Sequence, residues 1–301
     1  MTGDVGARLT PGSNVDAGAD SRRSGATTIA EVLRLSTDHL AARGCATPRL
    51  DAELLLAQTT GLERIGLYME FDRPLTTAEL ERARELVGRR ARREPLQYVL
   101  GEWGFRELTL TVDSRALIPR PETEIAVERA LALIADAEAP RVLDVGTGSG
   151  AIALSIAREH PGAVVTALDS SSDALALAAE NALHTGLEIE LVRHDLFDGL
   201  PAGPWDLVVS NPPYVDAGDL ETLQPEVRDW EPHAALSAEG AIESVVRGSA
   251  AVIAPGGALV LEVGEGQAGP IASLLEQVGF GDVRVTRDLA GIERVVEGRR
   301  G

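Results

Sequence analysis

The sequence predicts an α/β protein: a mostly parallel β-sheet covered by helices on both faces, preceded by a small helical domain and a β-hairpin. Three observations carry this. Residues 27–98 hold apolar residues at helical spacing between helix start and stop signals. From residue 141 onward, short near-continuous apolar runs alternate with helical stretches, the pattern of strands buried on both faces. The last two runs, 282–287 and 293–297, are joined through Leu289-Ala-Gly291, so this closing hairpin puts one antiparallel strand into the sheet.

Residues 1–26 are rich in Gly, Ser, Thr, Asp and Ala without apolar periodicity, and read as a disordered tail. Thr28-Ile-Ala-Glu31 has the form of a capping box, opening a helix with Ile29, Val32, Leu33 and Leu40 on one side and Gly44 as its stop. Thr47-Pro48 starts a second helix, with Leu50, Leu54 and Leu55 inward and Gly61 at its end. Thr76-Thr-Ala-Glu79 caps a third, running through Leu80, Ala83 and Val87 to about Arg93, before Pro95. Residues 27–98 therefore form a helical domain. Gly104–Val112 alternates with strand period ahead of the turn signal Asp113-Ser114, so residues 99–118 read as a hairpin linker. Residues 119–301 form the sheet domain, with strands at Arg141–Val145, Ala163–Leu168, Glu188–Val192, Asp206–Val209 and Ala258–Val263 before the closing hairpin.

Composition narrows the function classes. The chain has 301 residues, a formal net charge of -19 and no lysine, every Lys/Arg position being arginine. Such an acidic balance argues against a nonspecific grip on nucleic-acid phosphates. The lone cysteine, Cys45, cannot form an internal disulfide, which fits a reducing cytoplasm. No run approaches the ~18 apolar residues of a membrane span, and the N-terminus lacks a basic-then-apolar signal. The five histidines are scattered and no His/Cys cluster exists, so neither a catalytic histidine nor a metal site is expected.

Two motifs carry chemistry. Asp144-Val-Gly-Thr-Gly-Ser-Gly150 follows the first strand and opens the helix Ala151–Glu159, where glycines allow a sharp turn and close approach of a ligand. Asp169, at the end of the next strand, suits the two hydroxyls of a ribose; Asp195, after the third, suits an exocyclic amine. Either aspartate alone also suits a helix cap. Gly loop, Asp and Asp in order at three strand ends favour an adenosyl ligand, with a dinucleotide left as the alternative because the Gly-x-Gly-x-Gly spacing departs from its fingerprint. The second motif, Asn211-Pro-Pro-Tyr214, leaves a buried strand. Its Asn211 side-chain oxygen and Pro212 carbonyl can accept both protons of a planar NH2 group, and Tyr214 can cover it. The prolines stiffen the loop.

Together these motifs resemble class I S-adenosylmethionine-dependent methyltransferases, and more narrowly the glutamine methyltransferases that modify peptide chain release factors. The resemblance spans about residues 27–297. It rests on Asp51-Ala-Glu-Leu-Leu-Leu56, Glu94-Pro-Leu-Gln-Tyr98, Leu117-Ile-Pro-Arg-Pro-Glu-Thr-Glu124, Asp144–Gly150, Asn211–Tyr214 and Arg287-Asp-Leu-Ala-Gly-Ile-Glu-Arg294. It implies a seven-stranded Rossmann-like sheet behind a helical substrate-recognition domain. It implies S-adenosylmethionine as donor, with Gly146, Thr147, Gly148, Ser149 and Gly150 along its methionine part, Asp169 at the ribose, Asp195 and Leu196 at the adenine, and Asn211 bordering it. The family often carries an aromatic residue where Leu196 stands. Asn211, Pro212, Pro213 and Tyr214 would hold the acceptor glutamine of a release factor's Gly-Gly-Gln loop, with Asn211, Pro212 and Tyr214 as catalytic residues. Neither nucleic acid nor membrane is an expected partner. The Asn-Pro-Pro-Tyr motif is shared with adenine N6 methyltransferases, which supply the alternative. Arg120-Pro-Glu-Thr123 would form the pocket wall. The arginines Arg82, Arg84, Arg89, Arg90, Arg92 and Arg93 read first as a solvated helix face and second as a docking face for an acidic partner.

Overall fold

The computed structural model describes residues 27–301, and the predicted tail 1–26 lies outside them. The helical domain opens with α1 (Ile29–Ala42), where Thr28 Oγ1 accepts from Glu31 N at 3.3 Å. Next comes α2 (Pro48–Thr60), with proline in its first turn and Gly61 left-handed at its end. After α3 (Arg64–Met69), a complete capping box between Thr76 and Glu79 starts α4 (Thr77–Ala91), and α5 (Leu96–Leu100) follows. The two short helices α3 and α5 span too few turns to show periodicity in the sequence, and α5 crosses the expected boundary at residue 98. Ile29, Leu33, Leu40, Leu55, Leu67 and Leu86 form this domain's core.

Two details of the helical reading are corrected. Leu50 does not face inward: it is 37 % exposed, and the buried stripe of α2 carries Asp51, Ala52, Leu55 and Leu56. The stripe is rotated because Asp51 pairs with buried Arg90 and Glu53 with the half-exposed Arg49 and Arg64, so these two acids occupy interior positions. The third predicted helix stops at Ala91 rather than Arg93, whose φ of 67° is left-handed. That turn aims Arg93 at Glu226, whose carboxylate also receives Arg90.

The hairpin consists of β1 (Glu102–Phe105) and β2 (Leu108–Thr111). Its turn lies at Arg106-Glu107, inside the run that reads as one alternating strand, with Arg106 at φ 49°. The Asp113-Ser114 signal marks a different feature. Asp113 accepts from the Arg115 backbone N at 3.0 Å and bends the chain back towards the sheet.

The sheet domain begins with α6 (Thr123–Ile134), β3 (Arg141–Val145), α7 (Ala151–Glu159), β4 (Val164–Asp169), α8 (Ser172–Thr185), β5 (Glu190–Arg193) and β6 (Trp205–Ser210). It continues through α9 (Pro225–Arg228), α10 (His233–Leu236), α11 (Ala241–Val252), β7 (Ile253–Glu262), α12 (Ala268–Gln277), β8 (Phe280–Arg287) and β9 (Glu293–Arg300). The seven strands lie in the order β5-β4-β3-β6-β7-β9-β8, with β9 antiparallel to both neighbours. One core, built on Val142, Leu207 and Val260 with α6 and α7, covers one face; a second, built on Leu143, Val208 and Leu259 with α11 and α12, covers the other. The alternation of neighbouring strand residues between the two cores is the period-2 signature of a sheet buried on both sides. Chain order reverses at β3, which lies between β4 and β6, so a crevice opens at their carboxyl ends. No helix among the described residues is long and apolar enough to cross a membrane.

The helical domain is tied to the sheet domain by charge. Arg90, 4 % exposed, donates to Asp51 Oδ2 and to Glu226 Oε1, each at 2.8 Å, and Arg93 donates to both oxygens of Glu226. The reading of the arginine stretch as a solvated face fails at these positions, because Arg90 and Arg93 are structural, as is Arg89, which pairs with Glu94. Replacing Arg90 by alanine would strand Asp51 without its cation. Breaking a buried pair from one side typically costs about 3–5 kcal/mol. We expect Arg90→Ala to lower the urea midpoint strongly; an unchanged midpoint would show the network to be energetically idle.

Candidate functional site

The carboxyl ends of β3, β4 and β6 open onto a cleft of about 320 Å³, within the roughly 300–1,000 Å³ range of small-molecule sites. Its floor is the loop between β3 and α7, whose shape is set by Asp144. This carboxyl is fully buried; its Oδ2 accepts from Thr147 Oγ1 at 2.7 Å and from Ala153 N at 3.2 Å. The carboxyl thereby pins the middle of the loop and the first turn of α7 to the end of β3. Burial pushes its pKa up to about 7, against the Thr147 and Ala153 hydrogen bonds, with the neighbouring Asp169 adding to the rise. Gly146, Gly148 and Gly150 all have positive φ, and at Gly150 a Cβ would come within 3.3 Å of Ala178 and 3.1 Å of Leu154. This glycine is required by both its conformation and its neighbours.

Asp169 ends β4 facing this loop. Its Oδ2 accepts from Gly148 N at 3.0 Å and its Oδ1 from Ser171 N at 2.9 Å. Each oxygen retains a lone pair, so the carboxylate is oriented by the backbone and can still accept from a diol. Beyond β5, Asp195 Oδ1 accepts from Phe197 N at 3.0 Å, which curls the chain into a single 3₁₀ turn. Leu196 lines the cleft while packing against the core, and the adjacent Phe197 lines it too, with 52 % exposure. An aromatic face is therefore present one residue beyond Leu196.

At the end of β6 the Ser210 hydroxyl donates to Val145 O at 2.7 Å, holding the two strand ends together. Asn211 lines the cleft and its Nδ2 donates to Thr123 Oγ1 at 3.2 Å, which leaves Oδ1 as a free acceptor. Pro213 lines the cleft and Pro212 is buried. Tyr214 stands outside the lining: its hydroxyl donates to Glu262 Oε1 at 3.4 Å, and its carbonyl accepts from Gln267 Nε2 at 3.0 Å. Burial, followed by the Glu262 charge, pushes the Tyr214 phenol up to about 12. The facing wall comes from the segment between β6 and β7, with Pro232, Ala234, Ala235 and Ala238. Arg120 lines the cleft as well and pairs with buried Glu231, whose pKa is raised by burial against the pull of that arginine.

Of the residues singled out in the sequence, Gly146, Thr147, Gly148, Ser149, Asp169, Asp195, Leu196, Asn211 and Pro213 meet on one cleft. Gly150, Pro212 and Tyr214 stand behind it. Arg120 and Thr123 both line the wall, and Thr123 is also the first residue of α6. Sequence reasoning assigned no role to Glu262, Glu231 or Phe197. One signal for Glu262 was available: it is the only charged side chain inside the apolar run Ala258–Val263. The arrangement offers acceptors for a diol, an aromatic face and an oriented amide oxygen for an NH2 group. This combination fits an adenosyl donor next to an amide or amine acceptor.

Comparison with known proteins agrees. The family model for the PrmC N-terminal domain matches residues 31–101, and that for the methyltransferase small domain matches residues 126–291. A release factor glutamine methyltransferase of Geobacter sulfurreducens is 44% identical over 280 residues, covering 91% of this chain and 97% of that protein. One from Chlorobaculum tepidum is 41% identical over 281 residues, covering 88% of this chain and 95% of that protein. The crystal structure of a methyltransferase from Pyrococcus furiosus superposes with a TM-score of 0.50 at 16% identity, over 65% of this chain and 90% of that one, a likeness of fold alone.

The raised pKa of Asp144 has a testable sign. In the unfolded chain this group ionises near 3.8, and in the fold near 7. Between those values the folded state holds a proton that the unfolded state has released. Its contribution to stability is therefore full below the lower value and declines as pH rises towards the upper one. Asp144→Asn removes this dependence. The stability of the unsubstituted protein relative to Asp144→Asn should fall as pH rises from about 4 to about 7. Parallel denaturation profiles across that window would refute the assignment.

Proposed function

The chain belongs to the release factor glutamine methyltransferase family, and from that premise we propose how its cleft performs the family's reaction. The enzyme transfers a methyl group from S-adenosylmethionine to the side-chain amide nitrogen of a glutamine in a peptide chain release factor. The observation that carries the site assignment is Asn211, with its amide nitrogen tied to Thr123 and its oxygen left free beside the Gly loop. In this reading Gly146–Gly150 run along the methionine part of the donor. Asp169 accepts from the ribose hydroxyls, Asp195 accepts from the adenine amine, and Leu196 with Phe197 flanks the ring.

S-adenosylmethionine, when bound, supplies a methyl carbon activated by its positive sulfonium. The harder partner is the nucleophile, because an amide nitrogen shares its lone pair with its carbonyl. Asn211 Oδ1 and the Pro212 carbonyl accept the two NH2 protons, orient the nitrogen and stabilise the positive charge that develops on it. Pro213 and Tyr214 shape the loop. Holding the nitrogen in line with the methyl supplies part of the roughly 7–11 kcal/mol available from orientation. No strong base is needed, since the nitrogen sheds a proton readily once it carries the methyl group.

We further propose that the acceptor is the glutamine of a Gly-Gly-Gln loop, whose glycines let an extended segment enter a narrow cleft. The helical domain 27–98 and the linker 99–118 would present the factor to the sheet domain 119–301. A net charge of -19 and a single, buried cysteine support a protein substrate rather than nucleic acid and a cytoplasmic setting.

Two substitutions separate the donor and acceptor roles. Asp169→Ala should weaken S-adenosylmethionine binding in calorimetry while the chain stays folded, with a cooperative thermal transition at a somewhat lower midpoint because Gly148 N and Ser171 N lose their acceptor. Asn211→Ala should keep donor affinity but lose turnover equivalent to about 2.7–4 kcal/mol, by analogy with deletion of one oxyanion-hole donor; near-parental turnover would remove Asn211 from the mechanism. Substrate class is read by mass spectrometry after reaction with a release factor or duplex DNA. A methyl group on glutamine is expected, and one on adenine with an unmodified factor would overturn the proposal.

A further inference from the structure

The closing motif Arg287-Asp-Leu-Ala-Gly-Ile-Glu-Arg294 carries part of the family resemblance, yet the chemistry proposed above gives it no task. It forms the turn between β8 and β9. Leu289 at its tip stands wholly in solvent, 110 % exposed, and Ala290 and Gly291 beside it are exposed as well. The tip is nevertheless held firmly. Asp288 Oδ1 accepts from Ala290 N and from Ile292 N, each at 2.9 Å, and Oδ2 accepts from Arg294 Nε at 3.0 Å. Asp288 N donates to Ile292 O at 2.8 Å, and Gly291 takes a φ of 83° to close the turn. Arg287 Nη1 donates to Gly291 O at 2.7 Å. The backbone around the leucine is thus set before any partner arrives, which spares the ordering cost of binding.

Position and charge narrow what this tip meets. β9 begins where β7 ends: Glu262 pairs with Val295, and Val263 N donates to Arg294 O at 2.8 Å. The turn therefore projects from the same strand-end edge that carries Asn211 and Tyr214. With the strand order β6-β7-β9-β8, it lies two to three strand spacings from β6, roughly 10–15 Å. A free amino acid in the cleft cannot span that gap. A protein whose glutamine enters the cleft covers it easily, since a footprint of roughly 800 Å² per partner is ordinary. Both arginines of the turn are neutralised in place, Arg287 by Glu293 and Arg294 by Asp288. The turn thus offers an apolar tip and no unpaired cation for a phosphate backbone.

We propose that the β8–β9 turn is a docking knob for the release factor, with Leu289 entering an apolar depression on the factor beside the loop that carries the glutamine. This rests on the protein-substrate reading given above. The knob sets the grip on the factor and takes no part in methyl transfer, so its loss raises KM and leaves kcat alone.

The test measures kcat and KM for intact release factor, and S-adenosylmethionine affinity, in the full chain and in Leu289→Ser, Leu289→Met and Leu183→Ser. Burying a leucine against a partner is worth about tenfold or more in affinity. Leu289→Ser should therefore raise KM about tenfold, with kcat at saturating factor, donor affinity and thermal midpoint all near parental. Leu289→Met keeps apolar bulk and should hold KM near that of the parent. Leu183, 85 % exposed on α8 beside β4 and β5 at the other end of the sheet, is the control, and Leu183→Ser should leave KM unchanged. Parental KM in Leu289→Ser, or an equal rise in Leu183→Ser, overturns the proposal. If the parent enzyme leaves the factor unmodified and methylates adenine in DNA, the protein-substrate reading fails and the knob falls with it; if the parent methylates the factor and Leu289→Ser is silent, the knob fails alone.

Discussion

The architecture of the cleft depends on a carboxyl group that never meets water. Asp144 sits at the end of the central strand β3 and holds both Thr147 in the loop and Ala153 in α7. Without that anchor, three glycines with positive φ would leave the loop many conformations to choose from, since glycine loses more freedom on ordering than any other residue. With it, the backbone N–H of Gly148 is aimed at Asp169, and Asp169 is held in turn by Ser171. One buried acid thus orients a second, exposed to the ligand, across the gap between neighbouring strands.

A second strand carries a similar buried carboxyl. Glu262 closes β7 much as Asp144 closes β3, and in both the burial of a carboxyl lifts the pKa to about 7. Both also keep one oxygen unpartnered among the described residues. A hydrophobic residue in place of Asp144 would leave the Thr147 hydroxyl and the Ala153 N–H without their acceptor. Retaining an acid in each strand makes sense where direction matters, because an anion dictates which way its neighbours' protons point.

The sheet and its ligand loops were legible because their signals are local. Apolar runs, a Gly-rich turn and an Asn-Pro-Pro-Tyr exit each announce themselves within a few residues, and topology then brings them to one edge. The missed features are the ones that depend on partners far away in the chain. Arg90 meets Glu226 across 136 positions, and Thr123 meets Asn211 across 88. Leu50 was misplaced for the same reason, because α2 turns its acids inward only when arginines from α3 and α4 are there to receive Glu53 and Asp51. The hairpin turn at Arg106-Glu107 escaped because it carries no Gly, Asn or Pro. Its closure instead relies on Arg106 reaching Glu159 and the carbonyl of Glu124.

Glu226 occupies the segment that leaves the Asn211–Tyr214 motif and goes on to build the alanine-lined wall of the cleft. Its carboxylate is also the point at which the helical domain is clamped by Arg90 and Arg93. The two halves of the protein are therefore not interchangeable cassettes. A chimera that took residues 27–98 from one relative and the remainder from another would join a foreign cation pair to a resident anion, and a mismatch there would reach the cleft wall without touching the cleft.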